Sequence, residues 1–569
     1  MTLQDQLSMC RQLLPAGNTS VGPWPAQTLF FSVSDRRSRA RVFHVSATSL
    51  DEAWQQGVDW VQAWSAATQR SEPMWLRVDV VTSVRAMAWS QFQEQLQQVK
   101  RNYLRYGLAL DEGFRHAFTE QEINANAMVY GGAAIAHAEV NMGHLQRYGR
   151  IRFGEDFAPV LLPSSPVYLL TTAGVFCDEQ GRAHTLSGQG PDAGRRDLAE
   201  LDAATVRGLV RSGAEYLARQ VQEDGRFIYG RFPCFDRRID TYNALRHASS
   251  TYAMIESWEL IEGGELKAAI DRALVYLVER LIRTCQLPDG RRAAFLVDEV
   301  GQEIKLGGNA MAILALVKYS EVMGTSACAD LLERLGTGIE LMQDPRSGAF
   351  THVLHARNLK VKEPFRIIYY EGEAAFSLCR LYGFSGNPRW LAMAEKAFEH
   401  FIASRHWQHH DHWLSYSVNE LTRYRPEEKY FRFGLQNIEG HIGFVRHRRT
   451  TFPTLLELMM ASSQMLRRLQ DRPELGHLLA DLDQETFREA LVHRAHHMLN
   501  GHFWPEMAMY FKQPDSIVGS FFIRHHSFRV RIDDVEHYLS GYVAYHAWLM
   551  QQQTQVAVEA CTPLPEGCP

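Results

Sequence analysis

The sequence predicts a mainly α protein: an N-terminal α+β domain over residues 1–195, a closed ring of about five or six helical hairpins over 196–555, and a flexible tail over 556–569. Three observations carry this. Strand-like and helix-like runs alternate up to about residue 195, amphipathic helices recur from about 197, and each is followed by a small-residue turn and a second, more apolar helix. A chain of 569 residues favours more than one unit, and 46% hydrophobic residues against 22% charged can bury a large core.

In the first part, residues 40–46 and 75–81 read as strands, and 50–66 and 88–103 as amphipathic helices. Residues 167–177 and 182–186 flank Asp178-Glu179-Gln180-Gly181, a hairpin turn in which Gly181 supplies a positive φ. Thr119 and Glu122 have capping-box spacing, so 118–126 reads as a helix start. The polar, glycine-rich stretch 187–196 reads as a linker. This domain is expected to present a protein partner or substrate.

The repeats follow. First helices are expected at 203–222, 266–285, 327–342 and 388–404. The turns after them join small or polar residues to an aromatic: Asp224-Gly225-Arg226-Phe227, Asp289-Gly290, Ser347-Gly348-Ala349-Phe350, Asp411-His412-Trp413 and Gly501-His502-Phe503. In the second helices His247-Ala248, Asn309-Ala310 and Glu373-Ala374 fall at corresponding places, and further second helices fit 454–469 and 536–550. Two units share wording: Arg238-Ile239-Asp240 precedes His247, and Arg531-Ile532-Asp533 precedes His537. Such hairpins predict a closed ring with the apolar helices inside; an open helical solenoid is the alternative.

On these turns, and on Tyr242-Asn243-Ala244-Leu245-Arg246-His247, Tyr369-Tyr370-Glu371-Gly372-Glu373 and Arg531-Ile532-Asp533-Asp534-Val535-Glu536-His537, the repetitive part resembles the (α/α) toroid proteins. These form the six-hairpin glycosidase-like group of glycoside hydrolases, sugar epimerases and polysaccharide lyases. The resemblance implies that loops leading into the inner helices gather at one mouth of a cavity. The Cys-His-Gly string of zinc-dependent lanthionine cyclases is absent, and the Asp-x-Asp-Asp motif of terpene cyclases is present only as Asp533-Asp534.

The candidate catalytic residues are Asp240, Glu371, Glu373, Asp533 and Asp534, with His247 and His537. Tyr242, Asn243, Arg246, Tyr370, Glu439, His441, Arg529 and Arg531 are candidate substrate-binding residues. Hydrolysis of a glycosidic bond needs an acid and a base or nucleophile, and paired carboxylates supply them. Epimerisation or elimination needs a base beside a carbonyl and a cation for the enolate. The expected function is a carbohydrate-active enzyme using general acid/base chemistry, with hydrolysis favoured; the arginines point to a glycan or anionic sugar. The alternative is a non-catalytic toroid, a scaffold or glycan-binding protein of a biosynthetic complex. Each residue also has a structural reading: Asp240 and Asp533 as caps or ion pairs, Glu371 and Glu373 as first-turn acids, His247 and His537 as core histidines. The histidine-rich stretch 405–413 reads as a solvated loop, and no metal is expected.

A net charge of −5 argues against nucleic acid as a partner. The eight cysteines form no C-x-x-C pair, no apolar run approaches the roughly 20 residues of a membrane helix, and residues 1–17 lack a secretory core. A cytoplasmic protein with no membrane contact is therefore expected. No glycine-rich phosphate loop or G-x-S-x-G elbow occurs, so no nucleotide cofactor is expected.

Overall fold

The computed structural model describes residues 2–17, 22–68, 74–480 and 482–561, except the side chains of 555–561. The chain forms two compact units. The first takes the residues up to Glu200 together with Gly230–Ile239 and Asn500–Val530; the second takes Leu201–Tyr229, Asp240–Leu499 and the residues from Arg531 onward. The boundary expected at 195/196 therefore misses two returning segments. Both lie inside the repetitive region, and their contacts rather than their composition assign them.

The first unit is built on an antiparallel sheet in the order β2-β1-β3-β6-β4-β5, with β7 on β6. The strands are β1 (Gln27–Ser34), β2 (Arg41–Ala47), β3 (Trp75–Ala88), β4 (Gly107–Ala109), β5 (Ala117–Phe118), β6 (Pro166–Cys177) and β7 (Ala183–Leu186). Helices α1 (Leu3–Leu13) and α2 (Leu50–Ala67) bury Leu7, Val58 and Val61 with Leu29, Val78 and Val175 of the sheet. A second core joins α3 (Trp89–Gln97), α4 (Glu120–Ala125) and α5 (Met142–Phe153) through Phe92, Ile123, Leu145 and Phe118. The Thr119–Glu122 capping box forms as the spacing predicts. Stretch 187–196 is no free linker: Arg195 is buried and donates to Asn500 Oδ1 at 3.1 Å, and Arg196 pairs with Glu506 at 2.7 Å. Its glycines and polar groups satisfy buried backbone instead of conferring freedom. The returning segments add the hairpin β8 (Gly230–Phe232)–β9 (Arg237–Arg238).

The second unit is an (α/α)6 toroid. Its inner helices are α7 (Ala244–Ile261), α9 (Leu306–Met323), α11 (Tyr369–Ser385), α13 (His412–Tyr424), α16 (Thr454–Gln470) and α19 (Ile532–Cys561). Each packs against the next, and α19 packs back on α7, so the ring closes with six members. The outer helices are α6 (Ala203–Gln220), α8 (Gly264–Tyr276), α10 (Ala329–Leu341), α12 (Pro388–Ala403), α14 (Glu428–Gln436) and α17 (Gln484–His497); short helices α15 (Ile442–His447) and α18 (Pro505–Ala508) lie between later elements. Periodicity explains the sorting. In α12 Trp390, Leu391, Ala394, Ala397, Phe398 and Phe401 are buried at helical spacing, one stripe only, whereas α9 buries every residue from Leu306 to Val317.

Two expectations are corrected. The helix read at 266–285 ends at Tyr276, and after a π turn the chain enters β10 (Ile282–Gln286), because this stretch pairs with β11 (Arg292–Asp298). The sheet continues through β12 (Glu303–Lys305) and β13 (Val353–His355) to β14 (Val361–Glu363). Asp411-His412-Trp413 is no solvated turn but the start of α13, with Asp411 as its N-cap. Among the described residues no helix is long and apolar enough to cross a membrane.

Candidate active site

The inner helices run parallel. Arg246 in the first turn of α7 meets Asp533 in that of α19 at 2.8 Å, His537 meets Glu457 in the first turn of α16 at 2.9 Å, and beyond the middle Lys318 of α9 meets Glu259 of α7 at 2.6 Å. Six N-termini thus share one end of the ring, where their dipoles favour negative charge. Two glycines allow close approach there. A Cβ on Gly307 would lie 1.8 Å from Glu373 Oε2, and one on Gly372 would lie 2.5 Å from the Trp413 backbone.

His412 is buried, with Nδ1 3.2 Å from Asp411 Oδ2. Asp411 Oδ1 caps the helix through the Leu414 amide at 3.1 Å, and its own amide donates to Asn437 Oδ1 at 3.1 Å. His412 Nε2 is buried without a hydrogen-bond partner. With Nδ1 donating to Asp411, Nε2 of the neutral ring carries the lone pair. Tyr369 meets the ring edge-on at 5.3 Å.

His537 lies beside it, ring centroids 5.4 Å apart and planes at 77°. Its Nδ1 donates to Glu457 Oε2, while Glu536 Oε1 stands 3.5 Å away. Burial opposes the charge of this imidazolium, but Glu536 and Glu457 outweigh it and hold the pKa up at about 10. Glu457 also accepts from Tyr416 at 3.3 Å. Glu373 is buried and its Oε2 has no partner; burial, then the charges of Asp411 and Glu536, push its carboxyl up to about 8. Burial likewise raises Glu536. The mouth therefore holds two carboxyls pushed up to about 8, Glu373 and Glu536, one imidazolium, and one imidazole nitrogen, His412 Nε2, without a partner.

The other expected residues divide. Asp533 is clamped by Arg246 and by two donors of Arg531, which hold it below its usual range although burial alone would raise it; Asp534 lies 3.5 Å from Arg531. Arg246 also donates to Tyr229. Glu371 accepts from His352 Nε2 at 3.1 Å, and His352 Nδ1 accepts from the Arg366 amide, which settles that tautomer. Tyr370 is buried with its ring 5.5 Å from that of His352.

His247 is a core histidine. Its Nε2 donates to the Ala273 carbonyl at 2.8 Å, its Nδ1 accepts from Tyr242 at 2.8 Å, and burial drives its pKa down to about 4. Tyr242 is occupied by that bond and by the Phe227 amide, and Asn243 is the N-cap of α7. Asp240 is exposed on the loop before α7. Glu439 is exposed, and His441 stacks on His410 at 4.4 Å. Arg529 belongs to the first unit, not to the toroid with Arg531.

Sequence reasoning missed His412, Asp411 and Glu457. The signal for the first two was Asp411 as a cap before an amphipathic run; for Glu457 it was a lone acid in the first turn of an apolar helix. His412, Glu457 and His537 are also the one group among the described residues able to bring three metal-ligand atoms within 4.8 Å of one another. Glu457 in this group already accepts from His537 on one oxygen and from Tyr416 on the other.

No family model matches the chain, and no curated protein matches it. Solved structures similar to it include a D-mannose isomerase, 12% identical, covering 61% of this chain and 98% of that one with a TM-score of 0.45. Cellobiose 2-epimerase from Bacillus thermoamylovorans B4167 is 10% identical over 61% of this chain and 100% of that one, TM-score 0.46. A GH76 α-mannanase from Bacteroides thetaiotaomicron is 8% identical over 62% and 97%, TM-score 0.41.

Proposed function

We propose that this protein is a carbohydrate isomerase that moves a proton from the carbon beside the carbonyl of a neutral reducing sugar to the carbonyl carbon itself. The observation that carries the reading is the histidine pair: His412, with a buried lone pair on Nε2, stands next to His537, held as an imidazolium. One is built as a base and the other as an acid.

In the open-chain aldose, His412 Nε2 takes the proton from C2. The C–H electrons form the C1=C2 bond, and the carbonyl oxygen takes a proton from His537, giving an enediol. Return of the O2 proton to His537 and of the carbon proton from His412 to C1 yields the 2-ketose, and both rings regain their starting states. Two rings 5.4 Å apart leave no room for a carbon between them, which favours transfer along one face over inversion at C2. Neutral Glu373 supplies a hydrogen bond to a sugar hydroxyl.

The expected hydrolysis needs a second carboxylate beside Glu373. Asp533 is clamped by two arginines, Asp411 is spent on a cap and on His412, and Glu457 is held by His537. Glu371 keeps one unpartnered oxygen but accepts from His352 on the other, and Glu536, with no hydrogen bond on either oxygen, has its carboxyl pushed up to about 8. The same clamp weighs against an anionic sugar, because Arg246 and Arg531 already hold Asp533. A scaffold has no use for buried, unpartnered Glu373 Oε2 and His412 Nε2, each of which is costly.

The test is incubation of hexoses and reducing disaccharides in heavy water, followed by NMR, with His412→Asn and His537→Asn alongside. Ketose formation lost in both variants and unaffected by EDTA is expected. C2 inversion without ketose would replace isomerisation by epimerisation, cleavage with added water would restore hydrolysis, and a rate abolished by EDTA would make the histidines metal ligands.

A further inference from the structure

The first unit carries a cluster of cations that the sugar chemistry does not use. Arg39, Arg147 and Lys512 line one cavity of about 270 Å³. Elsewhere in this unit the arginines near carboxylates are paired: Arg77 with Asp79 at 2.8 Å, Arg105 with Glu120 at 2.6 Å, Arg152 with Glu122 at 2.5 Å. Among the described residues these three cations have no ion pair and no hydrogen bond to a carboxylate. Arg39 lies over the Tyr148 ring at 5.3 Å, and its Nε is buried without a partner.

The acids nearby are committed. Glu122 accepts from Arg152 and from the Tyr148 hydroxyl at 2.9 Å, and Asp236, exposed, accepts from Gln513 at 3.1 Å. Burial pulls the Arg39 guanidinium below its usual value although Tyr148, Cys234, Asp236 and Glu122 draw it the other way, so the folded chain compensates this charge only in part. Three cations line this one cavity and Arg39 is partly desolvated, a cost that a bound anion offsets. Guanidinium forks match phosphate oxygens, and Lys512 adds a point charge. The remaining wall includes Phe235 and the largely exposed Ile151, an apolar face for the body of a ligand. The volume lies at the small end of the range for ligand pockets.

We propose that this cavity binds a small phosphate-bearing molecule, its phosphate held by Arg39, Arg147 and Lys512 and its body against Phe235 and Ile151. The site lies wholly within the first unit and stands whatever reaction the toroid performs.

The experiment is calorimetric and thermal-shift titration of the full chain with inorganic phosphate, phenyl phosphate and acetate, each at ionic strength matched with sodium chloride. Saturable binding is expected, with phenyl phosphate tighter than inorganic phosphate and acetate weakest. Arg147→Gln and Lys512→Gln, both at exposed positions, should each weaken phosphate binding about tenfold. Arg39→Gln should abolish it while raising the melting temperature of the ligand-free protein, because a half-buried charge without an ion pair is removed; a purely structural arginine would lower it. Phosphate shifts no larger than those of chloride, or variants that bind as the parent does, would overturn the proposal. Acetate binding as tightly as phosphate would overturn the choice of phosphate.

Discussion

The starts of α7 and α19 share the wording Arg-Ile-Asp followed by His, yet His247 and His537 face opposite ways. His247 turns outward and ties the carbonyl of Ala273 in the outer helix α8, its other nitrogen satisfied by Tyr242. His537 instead reaches its inner neighbour α16 through Glu457 and stands against His412 at the mouth. The helix starts explain the difference. α7 begins at Ala244 and leaves Asp240 outside in an exposed loop, whereas α19 begins at Ile532 and takes Asp533 into its first turn. Shared wording therefore marks the supersecondary unit, and the register of the helix beneath it decides whether a residue ties an outer helix or joins the group of side chains at the inner helices' N-terminal end.

The largest effect expected from breaking this contrast is on rate. His537→Asn and His412→Asn should each lower kcat by about 10²–10⁴-fold, the usual contribution of a positioned acid or base, while His247→Ala leaves kcat of the folded protein within about twofold. Steady-state kinetics on the substrate found by NMR checks this, and equal losses at all three positions would erase the distinction.

Next comes Glu373, which belongs to the same group of side chains as His537. Its carboxyl goes from 4.5 when unfolded to about 8 when folded, so between those values the native state holds a proton that the unfolded chain releases. Stability then falls as pH rises through that window. Glu373→Gln carries no such proton and should be more stable than the parent at pH 7 by on the order of 3 kcal/mol, a gain that vanishes below pH 4. Urea unfolding at the two pH values measures it; parallel behaviour of parent and variant would mean that the carboxyl is ionised.

For the outward-facing partner, His247→Ala should cost about 2 kcal/mol, since the Ala273 carbonyl and the Tyr242 hydroxyl both lose a buried bond. The smallest effect belongs to Asp240→Asn, expected within about 0.5 kcal/mol in the same unfolding measurement and without consequence for rate. A large loss there would put the loop before α7 back among the catalytic elements.

The candidate site was half legible. Glu373 and His537 stood out because an acid and a histidine sit near the starts of strongly apolar helices. His412 did not, because its neighbours His406, His409 and His410 made 405–413 look like a hydrated loop. The chain takes left-handed φ values at Arg405 (55°) and His410 (48°), which turn it so that Asp411 can cap α13. Asp533 was legible as an acid and, beside Arg531, as one side of an ion pair, but its second partner was not, since Arg246 is nearly 300 positions away in the chain.

Periodicity, caps and turn glycines are local properties, so the sequence by itself determined the mainly helical class, the hairpin repeat and the sorting of amphipathic from apolar helices. Closure at six members, the return of 230–239 and 500–530 to the first unit, and the pairing of His412 with His537 depend on contacts between distant segments. Only the tertiary structure decided those, because burial, ion-pair partners and the direction a side chain faces are set by packing across the ring and not by neighbours along the chain.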